Sequence, residues 1–487
     1  MPRSWRLGIA AAIGVLALLA YLTRGAIGPR GQALAGTLCF IGIVAACSKN
    51  LRAVNRRTIG WGIALQVALA LFILKLQLPG RPESMPLSTW LRHVVTLQWT
   101  DAPPWRPGYA LFEAIGGAIR QFLDFSASGA KFVFGPLADV PTMSTVFPNG
   151  GFVFAFVALP TIIFVSSFFS VLYYLGVLQW AVRITARGMI YLLRTSGAET
   201  LSAVANVFMG QTEAPLIVKP YVPRMTHSEL LALMAGGMAT ISGGVMAVFI
   251  GMGADPVAIL ATSVMAAPCG LYLSKLMLPE TEQPETLRTC GTVERVSDSG
   301  APTHRNVIDA AAAGASDGMQ LAINVAAMLI AFLAFIALFD ALAGGAKPLL
   351  MACGVPGDWL AFWPDDLSLA MIFSWVFSPL AFLMGAEPQD IPALADLLGT
   401  KLVANEFVAY VKLTGPYRTE LTPRGYVLAT YALTGFANLS SIGIQLGGIG
   451  AMAPSRRADL ASLGGRALLV GFLATMVNAS IAGMLVN

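Results

Sequence analysis

Three short polar clusters interrupt the apolar stretches of this sequence, and the first is Gln211-Thr212-Glu213, bracketed by a glycine and a proline. The amide and the hydroxyl can each donate and accept hydrogen bonds, and the carboxylate accepts them, so the cluster suits a ligand with an amide-like edge. The apolar arms on either side are too short to cross a membrane separately. We therefore predict a re-entrant hairpin with these three side chains at its tip. A solvated loop at the membrane surface is the alternative interpretation.

The second cluster is Asn405-Glu406, which lies among apolar neighbours within Lys401–Lys412. A carboxylate inside a bilayer is costly and usually lines a pathway or a binding site. Glu406 is suited to accept hydrogen bonds from sugar hydroxyls, or to carry a proton as a coupling ion. A surface ion pair with Lys401 or Lys412 would explain the same pattern without any binding function.

The third cluster lies near the C-terminus and contains Phe436, Asn438, Ser440 and Ser441. Asn438 and Ser441 are separated by one helical turn, which places them on the same face of a helix. The two side chains can bind one ligand together, and Phe436 can stack on an aromatic ring. Small polar residues also hold membrane helices together, which is the alternative for the two serines.

Taken together, the clusters predict one site for a polar ligand that has a planar hydrogen-bonding edge and a hydroxylated part. An intramembrane enzyme would need a nucleophile with its base, or a metal set. Ser441 has no base at a recognisable spacing, and His93, His227 and His304 all lie in polar segments. The five cysteines form no CxxC motif, so we expect neither a disulfide framework nor a metal cluster. The pattern indicates a carrier and not an enzyme.

The composition requires lipid around most of the chain. Of the 487 residues, 56% are hydrophobic and only 12% are charged, and the mean hydropathy is +0.70. Soluble domains carry about 25% charged residues. Apolar runs that are long enough to approach or complete a helical crossing of the bilayer occur at Gly8–Leu22, Leu34–Ala46, Phe152–Leu178, Pro256–Leu278, Leu321–Phe339 and Arg466–Val486.

A short internal repeat points to the architecture. SAVANVF at 202–208 and LVANEF at 402–407 share V-A-N-x-F, and a Gly/Ser-rich apolar segment follows each of them. Inverted repeats with interrupted helices are typical of secondary transporters, which hold their substrate near the membrane midplane. The predicted fold is an all-α polytopic membrane protein: an inverted-repeat transporter with two re-entrant hairpins, broken helices, and scaffold and transport subdomains. A passive channel is a further alternative.

Basic residues in the short loops predict the orientation in the inner membrane. We expect the N-terminus, the basic loop 49–57 and the basic cluster 456–466 to be cytoplasmic, and Asn487 to lie outside. Arg3–Thr23 carries charges like those of a signal peptide but has no small-residue cleavage site at the usual distance, so we expect it to remain as a membrane anchor. The net charge of +5 reflects this topology and does not indicate nucleic-acid binding.

Three further segments have their own character. Residues 79–107 are rich in Pro and Trp and are expected to form an extracytoplasmic insertion. Residues 279–305 are polar and are expected to form a flexible loop. Leu111–Phe125 is amphipathic, which predicts a helix lying along the membrane interface.

At the three clusters the sequence resembles the concentrative nucleoside transporters. The stretches that carry the resemblance are GQTEAPLIVKPY at 210–221, NEFVAY at 405–410 and GFANLSSI at 435–442, with support from LPTIIF at 159–164, SVLYYLGVLQW at 170–180, PETE at 279–282 and NVIDAAAAGASDGMQLAINVAAMLIAF at 306–332. These matches run in order from about Leu34 to the C-terminus and are highly specific. Residues 1–31 add a span that the shortest bacterial members lack.

The resemblance implies a homotrimer in which each protomer holds one site between two re-entrant hairpins and two partly unwound helices. The residues that the family's motifs assign to the nucleobase are Gln211, Thr212, Glu213 and, packed on the base, Val245. Those assigned to the ribose are Glu406, Asn438, Ser441 and, beside them, Phe436.

The family's sodium site would fall on the side chains of Asn206 and Thr240 and on the carbonyl groups of Met209 and Ile241. Such a site is physically reasonable, because a hard cation prefers oxygen ligands and a hairpin tip beside an unwound helix offers free carbonyls. Met209 replaces a smaller apolar residue of the family, but only its carbonyl is required.

The expected function is a secondary active symporter that imports nucleosides, such as uridine and adenosine, by alternating access and is driven by a sodium gradient. The alternative is proton coupling through Glu406 or Glu213, and no cofactor other than the coupling ion is expected. The expected subdivision is an extra span at 1–31, scaffold spans at 32–107, interfacial helices and a scaffold span at 108–195, the first hairpin and unwound helix at 196–278, the loop 279–305, a scaffold span at 306–345, and the second hairpin, unwound helix and terminal span at 346–487.

Overall fold

The structure is a computed structural model, and it describes residues 3–80, 103–147, 153–286, 304–354, 356–360 and 367–486, with a few single positions between 81 and 102 and at 364. The described part is helical throughout, apart from one isolated bridge between Leu78 and Trp105. The predicted all-α membrane fold is confirmed.

The helices, in chain order, are α1 (Arg3–Leu22), α2 (Arg24–Ala46), α3 (Arg56–Leu74), α4 (Pro107–Phe134), α5 (Val140–Val146), α6 (Phe154–Tyr174), α7 (Val177–Leu193), α8 (Gly197–Ala205), α9 (Ala214–Ile217), α10 (His227–Ala239), α11 (Gly243–Gly251), α12 (Pro256–Met277), α13 (Val307–Ala352), α14 (Leu369–Leu383), α15 (Ile391–Val403), α16 (Glu406–Thr414), α17 (Tyr417–Glu420), α18 (Pro423–Leu433), α19 (Leu439–Met452) and α20 (Arg457–Leu485). Short 3-10 segments lie at Leu51–Ala53, Gly135–Ala138, Val222–Arg224, Gly357–Leu360 and Pro454–Arg456.

Within the described residues, eight helical segments are long and apolar enough to cross a membrane, so the chain is a multi-pass membrane protein. The longest is α13, with 46 residues, which corresponds to about 69 Å of helix. It packs along the whole of α6 and is otherwise largely exposed. The apolar run Leu321–Phe339 is therefore only the middle part of a much longer helix.

The second helix begins well before Leu34, where the apolar run predicts its start. The reason is a kink at Gly28, whose φ is 61°. Glycine adopts this conformation without steric cost, and Pro29 then occupies a position that suits the first turn of a new helical stretch. The polar residues after Arg24 therefore continue as helix and lead directly into the apolar part. Helix α1 packs mainly against α2.

The first re-entrant hairpin consists of α8, the irregular residues 206–213 and α9. Helix α8 has nine residues, so it is about 14 Å long and covers only half of a hydrocarbon core of about 30 Å. A capping box fixes its start: Ser196 Oγ accepts from the Glu199 N–H, and the Glu199 carboxylate accepts from the Ser196 N–H at 2.8 Å. The predicted hairpin tip is the non-helical segment that follows.

The second hairpin consists of α15 and α16, which meet at Ala404 and Asn405. With 13 and nine residues, these arms are about 20 and 14 Å long and are again too short to cross alone. Asn405 caps α16, because its Oδ1 accepts from the Val408 N–H at 2.9 Å.

Two helices are broken at the level of the hairpin tips. The first breaks between α10 and α11, where Thr240 is extended and Ser242 caps the second half. The second breaks between α18 and α19, where Gly435 has a φ of +155° and Asn438 caps the second half. The predicted broken helices are thus confirmed, and each second half begins at a polar cap within the membrane region.

Backbone hydrogen bonds join these irregular segments to one another. The Phe436 N–H donates to the Thr240 carbonyl at 3.1 Å, which connects the two breaks. The Gly243 N–H donates to the Phe208 carbonyl at 2.9 Å, which connects the first break to the first hairpin. Backbone groups without a partner are expensive in a membrane, so this cross-bonding is what allows irregular chain at this depth.

A buried polar network fixes the surrounding helices. Gln66 of α3 donates to Asn478 of α20 at 2.5 Å and accepts from the Tyr272 hydroxyl of α12 at 2.8 Å. Asn478 also donates to Thr262 Oγ1 at 3.2 Å. All of these side chains are buried, and together they set the spacing of the helices against which the hairpins pack.

The three special segments have different outcomes. Most of 79–107 lies outside the described residues, so the predicted insertion stays a prediction. The first part of 279–305 is held in place, because the Thr286 carbonyl accepts from the Gly197 N–H at 2.9 Å and Lys275 bonds Glu280 at 3.2 Å. Residues 287–303 of the predicted flexible loop are outside the described part of the chain. Leu111–Phe125 is helical, as predicted, within the longer α4.

Candidate functional site

The tip of the first hairpin reaches the second broken helix through Gln211. Its Nε2 donates to Ser441 Oγ at 3.2 Å, and its Oε1 accepts from Gln445 Nε2 at 3.1 Å. Gln211 is only 7% exposed, so the alternative of a solvated surface loop is wrong for this residue. Both polar atoms of the amide thus bond side chains of α19.

Gln445 belongs to this site although the sequence motifs do not include it. Its side chain is buried, and its Nε2 also donates to the Met234 carbonyl of α10 at 2.9 Å. It lies one helical turn after Ser441 and on the same face as Asn438, and this helical periodicity was the signal that could have identified it.

The second hairpin supplies the carboxylate. Glu406 is 5% exposed and accepts a hydrogen bond from Asn438 Nδ2 at 2.7 Å. The surface ion pair considered for Glu406 is not formed: Lys401 points to the Ala432 carbonyl at 2.7 Å, and Lys412 pairs with Asp396 at 2.9 Å. Glu406 therefore faces the break in the second broken helix.

Asn438 and Ser441 connect the two hairpins. Asn438 Oδ1 caps α19 by accepting from the Ser441 N–H at 2.8 Å, and it also accepts from Ser440 Oγ at 2.7 Å. Since Asn438 bonds Glu406 and Ser441 bonds Gln211, a continuous hydrogen-bonded chain crosses from one hairpin to the other. The helix cap thus orients both of its neighbours.

Thr212 and Glu213 lie beside this chain but do not join it. Thr212 packs on Gly448, where an added Cβ would come within 2.7 Å of its methyl group. Glu213 Oε2 accepts from the Gly210 N–H at 3.1 Å, and the rest of its side chain is exposed within the single chain. Glu213 is therefore accessible from the space next to the hairpin tip.

Val245 and Phe436 flank the breaks. Val245 is in the first turn of α11, where its N–H donates to Ser242 Oγ at 3.3 Å, and its side chain is buried. Phe436 lies in the second break and is half-buried. Both residues lie at the two helix breaks, and neither makes a direct polar contact with Gln211 or Glu406.

The residues assigned to sodium gather between the first hairpin and the first break. Asn206 is completely buried, and among the described residues neither its Oδ1 nor its Nδ2 has a hydrogen-bond partner. Thr240 Oγ1 donates to the Gly236 carbonyl at 3.0 Å, and Gly236 also faces the Asn206 amide. A buried, unpartnered amide oxygen fits a hard cation that prefers oxygen ligands.

Met209 and Ile241, the two residues assigned through their carbonyl groups, are also buried. Met209 ends the turn that follows Asn206, and Ile241 lies in the extended break after Thr240. No group of three His, Cys, Asp or Glu side chains with metal-binding spacing occurs in the part of the chain that the structure describes.

Comparison with known proteins identifies the family. Residues 35–80 match the family model for the N-terminus of Na+ dependent nucleoside transporters, and residues 258–483 match the model for their C-terminus. Residues 155–256 match a model described as nucleoside recognition. Sodium/nucleoside cotransporter 1 of Mus musculus is 38% identical over 98% of this chain and 67% of its own length. The chain belongs to the concentrative nucleoside transporter family.

Other members of the family are similar over nearly their whole length. An uncharacterized transporter of Haemophilus influenzae is 39% identical over 94% of this chain and 98% of its own. The uncharacterized transporter YutK of Bacillus subtilis is 37% identical, with 93% and 98% coverage. The family comprises transporters and not enzymes, as the residue pattern predicts.

The solved structure of CNTnw in an inward-facing, substrate-bound state is similar to this chain with a TM-score of 0.79 and 37% identity, covering 93% of this chain and 97% of that one. A doubly substituted variant of the same transporter in an outward-facing state gives a TM-score of 0.80 and 36% identity, covering 94% and 98%. The fold of the concentrative nucleoside transporters therefore extends over almost all of this chain.

Proposed function

We propose that this chain imports nucleosides across the inner membrane by sodium symport with alternating access. The observation that supports this most strongly is the chain of contacts from Gln211 through Ser441 and Asn438 to Glu406. It puts amide groups at one end and a carboxylate at the other, both buried between two half-length hairpins. A nucleoside has the matching polarity, with a planar hydrogen-bonding base joined to a hydroxylated sugar.

In the proposed complex the base binds at the first hairpin and the ribose at the second. Gln211 offers both a donor and an acceptor, Thr212 adds a hydroxyl, and Glu213 accepts from amino or imino groups of the base. Val245 packs on the ring. Glu406 accepts from ribose hydroxyls at the other end.

The remaining ribose contacts come from the second broken helix. Asn438 and Ser441 complete the polar contacts, with Phe436 beside them. Because Gln211 and Glu406 already have protein partners, a nucleoside must exchange those hydrogen bonds for its own. A ligand that lacks either polar part cannot complete the exchange.

The proposed sodium ion binds Asn206 and Thr240 side chains and the Met209 and Ile241 carbonyl groups. These residues join the first hairpin to the first break, so binding there orders the tip that carries Gln211. Coupling of this kind is reciprocal: sodium raises nucleoside affinity by the same factor as the nucleoside raises sodium affinity.

We further propose that the hairpins and broken helices move as a transport subdomain against a scaffold of 32–195 and α13. Three protomers assemble through scaffolds, the basic loop 49–57 faces the cytoplasm, and the C-terminus lies outside. The exposed apolar surface of α13, which includes Ile330, Phe335 and Leu342 at 65–73% exposure, is where a neighbouring protomer or lipid must cover the chain.

The test is uptake of radiolabelled uridine and adenosine into proteoliposomes that contain the purified chain. At fixed pH, an inward sodium gradient should drive accumulation above the external concentration, and choline in place of sodium should abolish it. Accumulation that follows a pH gradient and ignores sodium would replace the sodium proposal with proton coupling through Glu406 or Glu213. Equilibration without accumulation would contradict symport altogether.

A further inference from the structure

Lys401 is a completely buried lysine in the first arm of the second hairpin, and neither base nor ribose binding uses it. Its ammonium group donates to the Ala432 carbonyl at 2.7 Å and to Thr475 Oγ1 at 3.0 Å. Thr475 Oγ1 in turn donates to the Phe472 carbonyl at 2.9 Å, so its lone pair is turned toward the lysine. The ammonium also lies 5.7 Å from the centre of the Phe472 ring.

These partners place the charge at the break in the second broken helix. Ala432 is in the last turn of α18, whose carbonyl end carries the negative pole of the helix dipole. A buried ammonium group is expensive unless it is well bonded, and here it bonds the end of a half-helix. Lys401 therefore holds the second hairpin to the break at α18.

The internal repeat gives this position a counterpart in the first half of the chain. Superposing the two V-A-N-x-F motifs matches Asn405 with Asn206 and Lys401 with Ser202. Ser202 is completely buried, and its Oγ has no hydrogen-bond partner in the described part of the chain. Where the second hairpin carries an ammonium group, the first carries a small side chain and unpartnered oxygens.

The two breaks are also built alike. Thr240 ends α10 and donates to the Gly236 carbonyl at 3.0 Å, while Thr434 ends α18 and donates to the Thr430 carbonyl. Each threonine thus bonds the carbonyl one turn earlier, at the end of a half-helix that faces its own hairpin.

The charges of the hairpins complete the comparison. Gly197–Ile217, the first hairpin, contains two carboxylates, Glu199 and Glu213, and neither Lys nor Arg. Glu199, in the first turn of α8, pairs with Lys275 of α12 at 2.6 Å, whereas Glu213 at the tip has no ion pair in the described part of the chain and the next basic residue, Lys219, is exposed. The second hairpin contains the pair Asp396 and Lys412, which bond each other at 2.9 Å, and in addition Glu406 together with Lys401. Only the second hairpin therefore carries a buried cation in its own sequence that is not used in an ion pair, because Lys401 bonds the Ala432 carbonyl and Thr475 instead of a carboxylate.

We propose that Lys401 is a built-in cation that does for the second hairpin and α18 what the coupling sodium ion does for the first hairpin and α10. The assignment of sodium to the first half rests on the proposed function above. The second hairpin then stays bound to the break after α18 in every state. Only the first hairpin and α10 gain and lose an ion. One sodium ion per nucleoside is the expected stoichiometry.

The test compares two substitutions in the purified full-length chain. Lys401→Ser removes the ammonium group and leaves oxygen ligands that a sodium ion can share. Lys401→Met fills much of the space with an apolar side chain and offers no such ligand. Binding of ²²Na⁺ at saturation should rise by about one ion per chain in K401S relative to wild type and should not rise in K401M.

Uridine binding supplies a second measurement. At low sodium both variants should bind [³H]uridine roughly tenfold or more weakly, since the carbonyl end of α18 loses its cation. High sodium should restore uridine binding by K401S, whose binding should depend more steeply on sodium concentration than that of wild type. It should not restore uridine binding by K401M. If K401M does not fold, as judged by size-exclusion chromatography, the ²²Na⁺ count of K401S decides alone.

An unchanged ²²Na⁺ count in K401S, or wild-type uridine binding in both variants at low sodium, would overturn the proposal. The number of ²²Na⁺ ions that the wild-type chain binds tests the sodium assignment separately. If wild type binds no sodium, the proposed coupling fails, whereas a gain of one ion in K401S would still support the role of Lys401.

Discussion

At the scale of single residues, the site is a set of polar side chains that bond one another across elements. Gln211 is held by Ser441 and Gln445, and Glu406 is held by Asn438. A buried polar group that loses its partner costs about 1–3 kcal/mol. We therefore expect the proposed site to reject a ligand that fails to replace these hydrogen bonds and to select molecules with both a base-like edge and hydroxyl groups.

Replacing Glu406 with Gln should weaken uridine binding by about tenfold to hundredfold, because hydrogen bonds to a charged acceptor contribute roughly 1.5–3 kcal/mol. The measurement is [³H]uridine binding to the purified protein. Glu420→Gln, at an exposed position in α17, is the matched control and should bind like wild type. Near-normal [³H]uridine binding by E406Q would contradict the ribose assignment.

Replacing Gln445 with Leu should weaken uridine binding by roughly fivefold, since Gln211 loses one of its two partners and a typical hydrogen bond contributes about 1 kcal/mol. Gln445 acts here as a positioning residue. The affinity for uridine should fall while free ribose competes as well as it does in wild type. Gln389→Leu, on the surface, serves as the control; equal effects of the two substitutions would exclude the positioning role.

At the scale of elements, the site depends on how closely the first hairpin approaches the first broken helix. Gly237 of α10 is a point of close approach, because a Cβ there would lie 2.8 Å from Gln211 Cβ and 2.9 Å from Gln445 Nε2. Both distances are shorter than side chains tolerate. The glycine is therefore required by the neighbouring hairpin and not by its own backbone conformation.

Gly237→Ala should displace Gln211 and lower nucleoside affinity, although alanine favours the helix itself by about 0.5–1 kcal/mol. Gly465→Ala in α20 is the control, because nothing lies within 4 Å of its added Cβ. The two variants should differ in [³H]uridine affinity, measured beside their thermal unfolding temperatures. If G237A binds as tightly as G465A, the close approach does not control the site.

The elements that hold the site were predictable wherever composition and spacing are unambiguous. Half-length apolar arms around Gln211-Thr212-Glu213 and Asn405-Glu406 predict hairpins, and the helical spacing of Asn438 and Ser441 predicts that they act on one face. The start of α2 was not predictable from hydropathy, because the kink at Gly28 lets polar residues continue the helix.

The contacts between elements that are distant in the chain could not be predicted from the spacing of residues in the sequence. The bond from Gln445 to Gln211 joins residues 234 positions apart, and which carbonyl Lys401 reaches depends on the packing of α15 against α18 and α20. The sequence therefore left two competing interpretations of Glu406, a ligand-binding carboxylate or a partner of Lys401 or Lys412 in a surface ion pair, and only the folded chain separates them.

At the scale of the whole molecule, a hydrogen bond joins the basic loop 49–57 to the end of α12, so both lie on one side of the membrane. The Lys49 N–H donates to the Met277 carbonyl at 2.9 Å, which puts the basic loop 49–57 beside the end of α12. Residues 279–286 follow on that side. We propose that α13, the next described helix, starts on the same side and ends on the other. The proposed cytoplasmic location of the basic loop then predicts that the end of α13 lies outside.

Two exposed cysteines can test this orientation. Cys353 follows α13 and Cys47 precedes the basic loop, and both are exposed, whereas Cys39 and Cys269 are buried. In a variant with Cys290→Ser, a membrane-impermeant maleimide should label Cys353 in intact cells and Cys47 only after permeabilisation. Cys353→Ser should abolish the label in intact cells; labelling of Cys47 there would reverse the proposed topology.

The length of α13 has a consequence for the lipids around the protein. Between Asp317 and Asp340 the helix has no charged side chain, and this interval is about 35 Å long, close to the acyl-chain thickness of a common bilayer. The Leu369 N–H donates to Asp340 Oδ1 at 2.7 Å, so the chain returns to α14 at the same depth. An uncharged interval of this length is sufficient for one bilayer crossing, and lipids with much shorter or longer acyl chains would have to deform around a helix that crosses in this way.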